Sequence, residues 1–345
     1  MNSAIGHRPP LCLAAFSHRR ITSCVAVGLL TGCGTAQPPI GALGAMPQTS
    51  ALATHGQRSG SWMLPEAKNK DLLYVATGGD VYVLSYPSGK IVGRLGEQSA
   101  TSLCSDRRGN VFIVINGLQQ ILEYSHRGKL LQTLAVKDVP SSCSVDPTTG
   151  NLAVPTYDYS CVYIYPGARS SGVQSICDNY FILVGLCAYD SSGNLFLDGA
   201  VAGGQHHSYV PYLAELPKGS TTFNNYRLYG VRFRYDYYDS INWDGTYVTL
   251  SNPSTHSIYR VHISHKVKIV GRTRVHGWIG GFGDSLSAGG TQTWLKDGNF
   301  IAQWRNGSRL GIWSYPTGGS PTKILPPFAS GPTSVDGVVL SRAQR

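Results

Sequence analysis

From Leu72 onward the chain is written in short runs of alternating apolar and polar residues, each stopped by a cluster of Gly, Pro, Asn or Asp. Period-two alternation puts one side of a strand against a core and the other toward water, and the clusters supply turns. Long stretches of helical periodicity are missing. Composition agrees: 41 Gly, 19 Pro and 20 Tyr against 3 Met favour short strands joined by many turns. With 42% apolar and 14% charged residues, the chain has enough apolar side chains to fold and too many interruptions for a polytopic membrane protein.

One turn repeats. Asp106-Arg107-Arg108-Gly109-Asn110-Val111 returns as Asp146 to Leu152 and as Asp190 to Phe196, with weaker copies at Asp244-Gly245-Thr246-Tyr247 and Asp297-Gly298-Asn299-Phe300. An Asp carboxylate can take the backbone N–H two residues on, Gly or Asn can adopt positive φ, and an apolar strand follows. A second turn signal trails each copy, as at Tyr165-Pro166-Gly167, Leu216-Pro217-Lys218-Gly219 and Tyr315-Pro316-Thr317-Gly318. Each period is then four antiparallel strands, which is a propeller blade.

The run Leu72 to Leu95 holds only three strands and five complete units follow it, so a strand at Val335 to Leu340 is predicted to complete the first blade. The expected fold is all-β: a six-bladed β-propeller of four-stranded antiparallel blades, closed by the C-terminal strand joining the N-terminal blade. A β-helix or sandwich is the alternative, and neither explains matched half-blades at the two ends. The Asp-x-x-Gly-Asn-Val/Leu turn resembles the repeat of the NHL-repeat, streptogramin-lyase and gluconolactonase-like propellers. That resemblance covers nearly the whole chain and implies a fold, since propellers of this type include hydrolases, lyases and pure binding modules.

The N-terminus reads separately. Arg8, Arg19 and Arg20 precede an apolar run from Ile21 to Gly32 that is too short to span a bilayer. It ends in Leu30-Thr31-Gly32-Cys33, which resembles the lipobox of bacterial lipoproteins, and the resemblance assigns lipidation to Cys33. The expected organisation is a lipoprotein signal peptide over 1–32, a flexible Ala/Gly/Pro/Ser tether over 33–62 and the propeller over 63–345. Loss of residues 1–32 removes three arginines and no acids, so the net charge falls from +10 to +7. The expected address is the extracytoplasmic face of the bacterial cell envelope, with the membrane as a partner through the lipid on Cys33.

Such an address permits disulfides. Cys161 and Cys177 flank one hairpin almost symmetrically and are predicted to pair. Cys104, Cys143 and Cys187 precede successive repeat aspartates by two, three and three residues, so one pair among them can bridge blades, most simply Cys104 with Cys143. The fate of Cys187 stays open. A zinc site of three thiols is the alternative, without any Cys-x-x-Cys spacing to favour it.

No catalytic motif stands out, and the repeat turns account for Asp106, Asp146, Asp190, Asp244 and Asp297. His206-His207 falls in a Gly-rich insertion of blade four, and the His- and Lys-rich stretch from His256 to His276 alternates as an outer strand with a wet face does. Tyr226 to Trp243 interleaves aromatics with Arg227, Arg232 and Arg234. Its two readings are filler for the seam between blades four and five and a binding face made by Arg232, Arg234, Tyr235, Tyr237 and Tyr238. The expected function is a noncatalytic module, monomeric and without cofactor, that binds an envelope protein or an anionic glycan and no nucleic acid. The alternative is a metal-dependent lactonase- or lyase-like propeller enzyme with a divalent cation such as calcium in the channel. The lactonase-type ligand motif has no counterpart at matching positions, so no residue carries over from that group.

Overall fold

A computed structural model of the protein describes residues 62–344 apart from 97–99, 158–159, 181–182, 203–208, 230–239, 280–291, 306 and 332. Blade one contains β1 (Leu72–Thr77), β2 (Asp80–Ser85) and β3 (Ile91–Gly96). Blade two is β4 (Ala100–Ser105), β5 (Val111–Ile115), β6 (Gln120–Tyr124) and β7 (Leu130–Ala135). Blade three is β8 (Ser144–Val145), β9 (Leu152–Pro155), β10 (Cys161–Tyr165) and β11 (Gln174–Cys177). Blade four is β12 (Leu183–Tyr189), β13 (Leu195–Ala202), β14 (Tyr209–Leu216) and β15 (Asn224–Arg227). Blade five is β16 (Ser240–Trp243), β17 (Val248–Asn252), β18 (Ser257–Ile263) and β19 (Val267–Arg274). Blade six is β20 (Trp294–Lys296), β21 (Asn299–Gln303), β22 (Leu310–Ser314) and β23 (Lys323–Ile324), and β24 (Gly337–Ser341) ends the chain's strands.

Six four-stranded antiparallel sheets result, and β24 is the inner strand of the first. It pairs with β1 from Leu72 opposite Ser341 to Ala76 opposite Gly337. The predicted closure therefore holds, with the strand starting two residues later than the sequence placed it. Gln292 fastens the seam: its Oε1 accepts from the Ser102 hydroxyl at 2.7 Å and the Leu103 N–H at 2.8 Å, while its backbone bonds to Asp336 and Val338. Closure removes the free edge that an open array would leave.

The core is six wedges, one in each seam. Leu73 and Val75 of blade one pack with Ile301, Ile312 and Val338, and Leu152 and Val154 of blade three pack with Phe112 and Ile121 of blade two. Each fully buried Leu, Ile, Val or Phe contributes about 1.5–3 kcal/mol, so the seams hold the ring together. The seam between blades five and six is filled by large rings, where Phe300 meets Trp278 edge-on at 5.2 Å and Trp313 at 5.7 Å. Gly311 leaves room for Trp313, since a β-carbon there would collide with the indole. Between blades four and five, the described residues of the seam include the aliphatics Leu213, Leu250 and Val261, with Trp243 half-buried beside them. Tyr229, from the aromatic stretch, is 69% exposed and lies under the Arg227 guanidinium.

Outer strands are wet, as β19 shows by alternating between half-buried and exposed positions. Trp62, at the end of the expected tether, packs edge-on against Tyr124 and donates to the Gly128 carbonyl at 2.6 Å.

Candidate functional site

Antiparallel blades put the first-to-second and third-to-fourth turns on one mouth of the ring and the remaining connections on the other. The repeat turns build the first mouth. In blade two the Asp106 carboxylate accepts from the N–H groups of Arg108 and Asn110, both at 2.8 Å, and from the Asn110 amide at 3.0 Å, with Gly109 at φ +80°. Asp190 repeats the arrangement with Ser192 and Asn194. Asp146 substitutes threonines: Thr148 and Thr149 donate side-chain and backbone bonds, which outweigh burial and hold its carboxyl below the usual range. Asp244 accepts from Thr246 and Tyr247 and also from the Tyr315 hydroxyl at 2.7 Å, beside Arg260 at 3.2 Å.

The copy in blade six departs from the rule. Asp297 itself takes the left-handed conformation at φ +54°, and its exposed carboxylate pairs with Arg342.

These turns ring a bowl of about 920 Å³ at the end of the central channel. Its wall carries Trp243 and Trp294, both half-buried, and its rim carries the exposed cations Arg107, Arg108, Lys296 and Arg342. Lys296, though exposed at its rim, lies below the ordinary lysine range, first because the surrounding protein strips water from part of the side chain and then through the positive charges of Arg342 and Arg107. Glu123 also reaches the bowl, but Asn110 and Gln132 donate to its two oxygens, and burial raises its carboxyl. The Cys104–Cys143 disulfide crosses the wall between blades two and three.

Asp198 belongs to strand β13, where a bulge in β12 between Val184 and Cys187 lets its carboxylate cap the Leu186 N–H. A side chain at Gly185 would press on that carboxylate. Burial drives Asp198 up to about 7, and its second oxygen has no hydrogen-bond partner among the described residues. Asp336, just before β24, is pushed up to about 6 by burial. Both carboxylates raise the Tyr157 phenol, after burial itself, and its buried hydroxyl also has no hydrogen-bond partner among the described residues. No motif marks these three groups in the sequence. Among the described residues, no three His, Cys, Asp or Glu side chains gather into a metal-ligand set.

The candidate binding residues Arg232, Arg234, Tyr235, Tyr237 and Tyr238 lie outside the described residues, as do Cys33 and His206-His207. Cys161 and Cys177 are opposite one another in the β10–β11 register and are joined by a disulfide within blade three. Cys187 stays a buried free thiol, pushed up to about 12 by burial, with the Ser142 hydroxyl 3.7 Å from its sulfur. Trp243 closes the aromatic and basic stretch singled out in the sequence, whereas the rim cations Lys296 and Arg342 and the wall residue Trp294 had no functional signal there beyond their residue types.

No family model and no curated protein matches the chain. Among solved structures, a chain of a nidogen/laminin complex superposes with a TM-score of 0.59 at 11% identity, covering 80% of this chain and 100% of that one. A functionally unknown protein from Desulfotomaculum acetoxidans gives 0.57 at 10% identity over 79% of this chain and 100% of its own. A protein of unknown function from Bacteroides caccae gives 0.54 at 11% identity over 79% and 100%. Likeness at these identities speaks for architecture alone, and by its own sheets and by these neighbours the chain is a six-bladed β-propeller.

Proposed function

We propose that this protein is a noncatalytic binding module of the bacterial cell envelope, held to the membrane by a lipid on Cys33 and receiving a ligand or protein partner at one mouth of its ring. The bowl carries this reading. It is large enough for an organic ligand, sits on rigid strand ends, and gathers side chains from every blade. Two disulfides fit an oxidising compartment, and Leu30-Thr31-Gly32-Cys33 supplies the anchor.

Two measurements test it with the full chain expressed with its leader. Metabolic labelling with a fatty acid is expected to mark the wild type and not Cys33→Ala; equal label would remove the anchor. Titration calorimetry against purified envelope components is expected to show saturable binding with the component recovered unchanged.

A second reading, a lactonase- or lyase-like enzyme with a divalent cation in the channel, draws on Asp198 and Asp336 as the raised, buried carboxyls. Calcium-dependent turnover of a lactone or ester, lost in Asp198→Asn, would replace the first reading with this one.

A further inference from the structure

Positive charge crowds one sector of the bowl. Arg107 and Arg108 come from the turn of blade two, Arg342 from the residue after β24 in blade one, and Lys296 from β20 in blade six, three blades that are consecutive around the ring. Arg342 has Asp297 as its partner, while no carboxylate among the described residues pairs with Arg107, Arg108 or Lys296.

Acids line the bowl as well, and hydrogen bonds to neutral donors leave their charge in place. Asp146, Asp190 and Asp244 belong to blades three, four and five, and Asp244 is paired with Arg260, so within the cationic sector the acids are Asp106, Glu123 and Asp297 beside the four cations. Asp297 is taken by Arg342, Asp106 is turned to the backbone of its own turn, and Glu123 is raised by burial, which leaves the exposed head groups of Arg107, Arg108 and Lys296 to a ligand. A ligand that brings negative charge gains charge-assisted hydrogen bonds from these guanidinium forks and the ammonium, more strongly in a recess walled by protein than in open water.

The position of the cations is built in. The Ser341 hydroxyl donates to the Gly109 carbonyl at 2.5 Å, the Ala343 N–H donates to Asp71 at 2.9 Å, and the Gln344 amide donates to the Arg108 carbonyl at 3.1 Å. Those bonds hold Arg342 beside the turn that carries Arg107 and Arg108. The bowl is also far roomier than one inorganic anion needs, and its lining offers the half-buried indoles of Trp243 and Trp294 and the hydroxyls of Ser144 and Ser191. Indole rings stack on sugar faces, and such polar groups match sugar hydroxyls.

We infer that the bowl binds an anionic oligosaccharide, its carboxylate or phosphate groups on Arg107, Arg108, Lys296 and Arg342 and its sugar rings against Trp243 and Trp294. This deepens the binding-module reading and rests on it.

Calorimetric titration of the full-length protein with three probes tests it: an oligogalacturonate, a phosphate-bearing oligomannose and neutral oligomannose. Binding is expected for the anionic probes, tighter for whichever anion is the native one, and weakened by raising salt. Lys296→Ala and the pair Arg107→Ala with Arg108→Ala are expected to weaken it at least about tenfold, about 1.4 kcal/mol, with the melting temperature preserved. Lys268→Ala, an equal charge change on the exposed outer strand β19, is expected to bind as the wild type does. Neutral oligomannose bound as tightly as the anionic probes, or affinity unchanged in the Lys296 and Arg107/Arg108 variants, would overturn the anionic assignment while leaving a binding module of other specificity. Chemical conversion of a bound component would instead overturn the module reading.

Discussion

A side chain on Gly109 would collide with the carbonyl oxygen of Arg342, so the first repeat turn and the end of the closing strand occupy one shared site. Ser341 and Ser105 reinforce the contact, with Ser105 donating to the Leu340 carbonyl at 3.0 Å and the His126 ring 2.7 Å from the Ser341 hydroxyl. Ring closure and the geometry of the bowl are therefore one structural event.

Gly109 and Gly150 separate the two demands on a repeat glycine. Both have positive φ, at +80° and +75°, but a β-carbon on Gly150 meets nothing within 4 Å. Gly150→Ala is expected to lose about 1–2 kcal/mol from the left-handed backbone alone. Gly109→Ala is expected to lose distinctly more, because β24 must shift as well. Urea unfolding of both variants checks the order, and equal losses would detach Gly109 from closure.

Deleting residues 332–345 removes β24 and with it the inner strand of blade one. The exposed edge of β1 and the uncovered apolar side chains Leu73 and Val75 should then produce unfolding or aggregation, not a trimmed native ring. Size-exclusion chromatography and thermal melting read the result, and a monomer with an unchanged melting temperature contradicts the closure account.

The two disulfides close loops of 16 and 39 residues, for which chain entropy supplies about 3 and about 4 kcal/mol. Replacing Cys161 with Cys177, or Cys104 with Cys143, by serines is expected to lower stability by up to those amounts, the longer loop more. Nonreducing peptide mapping should recover both linked pairs, with Cys187 alkylated only after denaturation, since its thiol is buried and unionised.

Asp198 and Asp336 predict a pH dependence with a definite sign. Their folded values stand near 7 and 6 against an ordinary 3.8, so between about pH 4 and 7 the folded state holds protons that the unfolded state has released. Stability from this source is present below the unfolded value and is lost as pH rises through the folded ones, at about 1.4 kcal/mol per unit of displacement for each group. Asp198→Asn keeps an oxygen for the Leu186 N–H and cannot ionise. It is expected to flatten the decline toward pH 7 and to be the more stable protein at pH 8. An unaltered pH profile would contradict the assignment.

What the sequence determined by itself is the local code. A turn such as Asp106 to Asn110 is complete within a few residues, because the carboxylate, the positive-φ glycine and the following strand all lie in one short segment, so its recurrence spelled out the blades. Cys161 and Cys177 were legible for the same reason, as equidistant positions on one hairpin. Even closure could be counted, since a three-stranded blade at one end and a spare strand at the other leave one way to satisfy every edge.

Tertiary structure decided what depends on residues far apart in the chain. Nothing in the sequence brings Arg107 to Lys296 and Arg342, or marks Asp297 as the repeat aspartate that turns from its own backbone toward Arg342. Among the described residues, Trp278, Phe300 and Trp313 form an aromatic cluster that the sequence did not single out, because the room for each seam is set by two blades and by gaps such as Gly311. Asp198 reads as an ordinary strand residue until the bulge at Gly185 and the surrounding burial are in place. Hydrogen bonds within a turn are encoded by neighbours in sequence, whereas burial and electrostatic crowding are properties of the space that a closed ring creates.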